Sequence, residues 1–271
     1  MTLLFGAMNS PLRDLEEEIR AIASLGFDFL EMALDAPGGL PSQIWGRKEK
    51  IQGLLRECAL ELVVHLPTFV WPADLTPRIR KASVEECLEA MEMAAQFQAR
   101  CLVLHPGSFL GLGNVARDLS RKAALESLET LLEKASGLGL RVGLENMFPR
   151  GGWLVTPEDF AFVMERFPGL GITLDVGHAF IGGGLRRAVG FLESFPERIL
   201  HLHVSDNWGE RDDHLPIGAG RVPYAKVVEA LKACDYQGWV TFEVFSPDRD
   251  YLRISREKFQ QMWWGPAQSP G

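Results

Sequence analysis

Residues 101–147 read CLVLHPGSFLGLGNVARDLSRKAALESLETLLEKASGLGLRVGLENM. An apolar run of strand character, CLVLHPG (101–107), gives way to ARDLSRKAALESLETLLEKASG (116–137), where apolar residues return every three or four positions and charges fill the other face. Gly137 and Gly139 mark the end of that helix, and RVGLENM (141–147) begins a second strand-like run. Strand, helix, strand in that order predicts two parallel strands joined by a right-handed crossover.

The same unit recurs in both directions. Further runs stand at LLFGAM (3–8), FDFLEMAL (27–34), LVVHLP (62–67), GITLDVGHA (171–179), RILHLHVSD (198–206) and WVTFEVF (239–245), which makes eight. Helical spacing fills intervals such as DLEEEIRAIASLG (14–26) and IRKASVEECLEAMEMAAQF (79–97). Thr156, Pro157, Glu158 and Asp159 form a helix start with a cap, a proline and acids in the first turn. Eight such units predict an α/β fold that closes as a (β/α)8 TIM barrel, with a doubly wound sheet as the runner-up. The expected organisation is one domain over residues 1–265 and a flexible tail at 266–271.

Composition bounds the rest. A chain of 271 residues, 46% of them hydrophobic, can bury the core of a barrel that size. The formal charge of −8 and the absence of any basic stripe disfavour nucleic acid and anionic membrane as partners. Cys58, Cys87, Cys101 and Cys234 form no CxxC pair and fit reduced core thiols. No stretch approaches the roughly 20 apolar residues of a membrane span, so we expect a soluble, cytoplasmic protein, compatible with a homo-oligomer.

In such a barrel, chemistry collects where strands end at the C-terminal face. His65 ends strand 3, His105 strand 4, Glu145 strand 5, Asp175 and His178 strand 6, His203 and Asp206 strand 7, and Glu243 strand 8. The segment after His203 adds Asp212 and His214, two apart, which in an extended loop leave the same face while Asp213 points away. His201 shares the parity of His203 but lies deeper, as barrel lining. Acids and imidazoles interrupting apolar strands leave costly buried charge unless a cation compensates them. Mixed carboxylate and imidazole ligands suit Zn2+ or Mn2+, and carboxylates can bridge two ions.

The motifs LVLHPGS (102–108), GLENM (143–147), LDVGHAF (174–180) and HLHVSDNWGERDDHLPIGAG (201–220) together resemble the xylose isomerase-like TIM-barrel superfamily, which joins sugar isomerases and epimerases to endonuclease IV. The resemblance runs from Leu3 to Phe245. Its DDHLPIGAG segment is similar to the group of sugar phosphate isomerases/epimerases. By resemblance to the keto-sugar epimerases, Glu145, Asp175, His203 and Glu243 would hold one ion, Glu145 and Glu243 would carry the proton, and His178 would contact substrate oxygens. Arg211 is an approximate counterpart of their substrate-gripping arginine. By resemblance to endonuclease IV, His65, His105, Glu145, Asp175, His178, His203, Asp212, His214 and Glu243 would together hold three zinc ions. Phe69 and Trp71 then serve as lid aromatics over a sugar or as wedges in DNA. The first expectation is a metal-dependent sugar or sugar-phosphate isomerase/epimerase using one to three divalent ions; the alternative is an endonuclease IV-like phosphodiesterase with a nucleic acid partner.

Overall fold

In a computed structural model, which describes residues 3–150 and 152–265, each expected apolar run coincides with one strand, β3 starting one residue before its run. They are β1 (Leu4–Met8), β2 (Phe29–Ala33), β3 (Glu61–His65), β4 (Leu102–Leu104), β5 (Val142–Glu145), β6 (Gly171–Asp175), β7 (Ile199–Val204) and β8 (Trp239–Phe242). Each pairs in parallel with the next, and β8 pairs with β1, closing a (β/α)8 barrel of one domain. The tail expected at 266–271 lies outside the described residues. Among those residues no helix is long and apolar enough to cross a membrane.

Helices cover the strands because their apolar faces match the barrel's outer surface. In helix Leu15–Ser24, Leu15, Ile19 and Ile22 are buried against that surface, each burial worth about 1.5–3 kcal/mol. Asp14 caps its first turn by accepting from the Glu16 and Glu17 N–H groups. The start expected at Thr156 is a complete capping box, with Thr156 and Asp159 bonding each other's backbone.

Alternation along the strands sorts the interior into layers. Toward the N-terminal mouth, Phe29, Val63, Cys101, Val103 and Leu200 form an apolar plug. Gly6 lets the plug form, since a Cβ there would sit 2.2 Å from the Phe29 ring. Above it lies a buried polar layer of Glu31, Thr173, His201 and Thr241. One step further toward the C-terminal face come His65, Glu145, Asp175, His203 and Glu243, with Ala33 paired to His65 and Asp175 to His203. Strand ends differ from expectation: β7 stops at Val204, two residues before Asp206, and β8 at Phe242, one residue before Glu243. Strand β4 stops at Leu104, before Pro106, which has no N–H for the ladder. Strand β6 stops at Asp175, because the Asp175 carboxylate accepts the His178 N–H and starts a short helix, Val176–Phe180. His178 therefore reaches the rim from a helical turn and not from a strand end.

Candidate metal centre

The rim residues converge on one locus. His203 Nδ1 lies 3.1 Å from Glu243 Oε1, 3.6 Å from Glu145 Oε1 and 3.9 Å from Asp175 Oδ2. On the other side of Glu145, His105 Nε2 is 3.0 Å and His65 Nε2 3.5 Å from Oε2, and His178 Nδ1 is 3.1 Å from Oε1. Asp212 Oδ2 stands 3.1 Å from His178 Nε2 and 2.9 Å from His214 Nε2. All nine residues of the larger expected set thus meet in one cup.

Electrostatics and hydrogen bonding both favour a cation here. Glu145 Oε2, Asp175 Oδ2, His203 Nδ1 and Asp212 Oδ1 are buried yet make no aligned hydrogen bond. Such orphans are costly unless something bonds them. Burial pushes the Glu145 carboxyl up, but the charges of His105 and His203 outweigh it and hold it well below the usual range. Burial likewise opposes charge on His65, which hydrogen bonding and the charge of Glu145 nonetheless raise to about 9. His178 and His203 are also held well above their ordinary value by neighbouring carboxylates, against burial. Burial raises Asp175, and Glu243 to about 7. Without a metal, protons on the imidazoles offset the carboxylates; a divalent ion can replace them.

The donor set fits such an ion. Asp175, His203 and Glu243 offer ligand atoms within 4.8 Å of one another; so do Glu145, Asp175 and His178, and so do His65, His105 and Glu145. Asp175 and Glu145 each belong to two of these groups. Backbone carbonyls orient several rings: His65 Nδ1 bonds Leu66 O, His178 Nδ1 bonds Asn146 O and His214 Nδ1 bonds Glu243 O, turning each Nε2 toward a carboxylate.

The loop after β7 is built differently from expectation. His214 takes a left-handed backbone, φ +47, so the segment is turned and not extended, yet its ring still meets Asp212. Asp206 shapes this loop by accepting from the Asn207, Gly218 and Val222 N–H groups. Asp213 faces away, toward the Trp208 N–H.

A cleft of about 430 Å³ opens over the cup, walled by Met8, Phe69, Trp71, Phe148 and Phe245 among others, with no lysine or arginine among its described lining residues. Asp35 anchors the Phe69 loop through the Thr68 and Phe69 N–H groups. Arg211 is not brought to this cleft. It lines a separate groove with Trp208, Glu210, Asp213 and Arg221.

Sequence reasoning missed Glu31. Fully buried on β2, it bonds His201 and His203 from below. The signal was present, an acid inside the apolar run FDFLEMAL.

Acids and imidazoles gathered at the carboxyl ends of parallel strands are the equipment of (β/α)8 enzymes, and this chain is an enzyme of that class. It belongs to the xylose isomerase-like TIM-barrel family, whose family model matches residues 19–262. The uncharacterized protein MJ1311 of Methanocaldococcus jannaschii is 32% identical over 260 residues, 90% of this chain and 87% of that protein. The crystal structure of a D-tagatose 3-epimerase-like protein superposes with a TM-score of 0.85 at 30% identity, covering 96% of this chain and 97% of the other. Fructoselysine 3-epimerase of Escherichia coli O157:H7 is 23% identical, over 92% of this chain and 93% of its own. A probable endonuclease 4 of Mycobacterium ulcerans (strain Agy99) is 24% identical, over 86% of this chain and 90% of its own.

Proposed function

We propose that the protein is a metal-dependent sugar isomerase or epimerase that moves a proton at a carbon beside a carbonyl. The observation that carries this is the placement of Glu145 and Glu243. From β5 and β8 they approach the same His203 nitrogen, at 3.6 and 3.1 Å, and both open onto one cleft. Glu145, Asp175, His203 and Glu243 would hold a divalent ion, Zn2+ or Mn2+ by the mixture of ligands. Bound there, the ion would polarise the sugar carbonyl and acidify the adjacent C–H.

The side chains do the remaining work. Glu145 opens onto the cleft from β5 and is the carboxylate placed to take a proton. Glu243, raised by burial to about 7, is suited to return one. Removal on one face and return on the other inverts the carbon; return at the neighbouring carbon isomerises the sugar. His178 faces the cleft and is placed to bond sugar oxygens, while Phe69, Trp71, Phe148 and Phe245 cover the apolar face of the ring. The absence of lysine and arginine among the described wall residues favours an unphosphorylated sugar. The names of two relatives, a D-tagatose 3-epimerase-like protein and a fructoselysine 3-epimerase, support the same chemistry.

A second reading has its own observation. The sharing of Glu145 and Asp175 between overlapping ligand groups suits bridged ions, and with them hydrolysis of a phosphodiester in abasic DNA. A DNA backbone calls for basic contacts, and the described residues of the cleft wall include no lysine or arginine.

The test is to incubate the metal-reconstituted protein with a panel of free and phosphorylated ketoses in deuterated water and follow both products and deuterium by NMR. Expected is conversion of an unphosphorylated ketose, with deuterium entering beside the carbonyl. Cleavage of an abasic-site oligonucleotide with no turnover of any sugar would replace this function with the second.

A further inference from the structure

His203 differs from its neighbours in having the buried carboxylate of Glu31 behind its ring. His65 and His214 each bond a backbone carbonyl through Nδ1, which leaves Nε2 for the cup, and His178 Nδ1 bonds Asn146 O while also lying 3.1 Å from Glu145 Oε1. His203 is reversed: Nε2 lies 3.0 Å from Glu31 Oε1, and Nδ1 is the atom that faces Glu145, Asp175 and Glu243. Its outer partner is thus a full carboxylate.

That carboxylate is itself fixed. Glu31 Oε2 accepts from His201 Nε2 at 2.9 Å and from the Thr241 hydroxyl, and Glu31, His201, His203 and Thr241 are all completely buried. Three donors from β7 and β8 therefore converge on one acid from β2. A buried ionised carboxylate is expensive to maintain. The plug below it needs no charge, and Glu31 is not among the described residues that line the cleft over the cup, so its cost is explained by what it does to His203.

We propose that Glu31 is a positioning residue for the metal centre: it holds His203 with the proton on Nε2, so that His203 binds the ion through Nδ1 with a ring made more basic by the carboxylate behind it. Carboxylate–imidazole–metal relays orient the ligand and strengthen its donor atom, and losing the outer member typically costs 10- to 100-fold in metal affinity. His201 and Thr241 keep Glu31 from rotating away. This rests on the metal-centre part of the function above and not on the choice of substrate.

The test compares zinc affinity, by competition with a chromophoric chelator, in wild type, Glu31→Gln, Glu31→Asp and Thr241→Val, with circular dichroism as a check on folding. Glu31→Gln keeps the shape but not the charge, and should weaken zinc binding about 10- to 100-fold; Thr241→Val should weaken it less. In the wild type, nitrogen-15 NMR of the zinc-loaded protein should show His203 with metal on Nδ1 and a proton on Nε2, a signature that needs no variant to fold. A folded Glu31 variant with wild-type zinc affinity, or His203 found bound through Nε2, would overturn the proposal while leaving the metal centre standing. A wild type that binds no zinc or manganese would overturn both.

Discussion

The Asp212 carboxylate and the His214 ring face each other at 2.9 Å with one residue between them, and they do so because His214 adopts φ +47. A non-glycine residue in that region carries strain that its surroundings must repay, and here the contacts lie within the cup. His214→Ala is therefore expected to lower the metal content or affinity without emptying the site, because the strand-borne ligands remain. Asp213→Ala, which removes a carboxylate facing Trp208, should do neither. Elemental analysis of the purified variants decides; equal metal content in wild type and His214→Ala would remove this loop from the centre.

Glu145 touches more of the cup than any single imidazole does, reaching His65, His105, His178 and His203. Glu145→Gln should abolish turnover and weaken metal retention while the barrel stays folded. Full activity with normal metal content in that variant is the outcome that would discard the centre.

Protons and metal compete for the same imidazoles, which sets the pH dependence of stability. Burial opposes charge on His65 and His214, yet Glu145 and Asp212 raise them to about 9, and burial raises Glu243 to about 7. Each group binds more protons folded than unfolded between its ordinary and raised values, so stability falls as pH rises through those intervals. Asp212, lowered by its two imidazoles against burial, acts with the opposite sign only in acid. The metal-free protein should therefore melt at a lower temperature at pH 9 than at pH 6.5, each retained proton worth up to about 1.4 kcal/mol per pH unit. Zinc affinity should rise over the same range as the protons leave. A melting temperature in chelator that stays flat or rises from pH 6.5 to 9 would contradict the assignment.

Packing yields a prediction independent of chemistry. Gly6→Ala places a methyl 2.2 Å from the Phe29 ring inside the plug. Overpacking of this kind costs about 1–3 kcal/mol, readable as a lower urea midpoint with an unchanged slope.

Phe69 is three-quarters exposed at the cleft wall, on a loop held by Asp35. Phe69→Ala should raise KM for the sugar roughly 3- to 10-fold by loss of apolar contact, with kcat little changed. A fall in kcat at constant KM would place the ring in the chemical step.

Much of this fold is readable because each strand, buried on both sides, stands out as an apolar run bounded by helical spacing. His65, Glu145, Asp175, His203 and Glu243 share an inward parity that the sequence displays directly. Loop geometry is less legible. The helical turn that carries His178 depends on Asp175 capping it, and the turn at His214 depends on Asp206 binding backbone from 207 to 222. The second joins residues whose proximity no spacing announces; the first is a local contact three residues long, inside a run that reads as strand. Glu31 escaped because its partners, His201 and Thr241, are about 170 and 210 positions away along the chain. The resemblance that suggested Arg211 could not say on which side of its loop the side chain falls.

The apolar plug built around Phe29 has a consequence for traffic. With the lower mouth filled, the cleft past Phe69 and Trp71 is the opening that the described residues leave to the cup. Under the proposed function, a product sugar would have to clear that passage before the next substrate arrives, so product is expected to inhibit competitively, with release coupled to uptake.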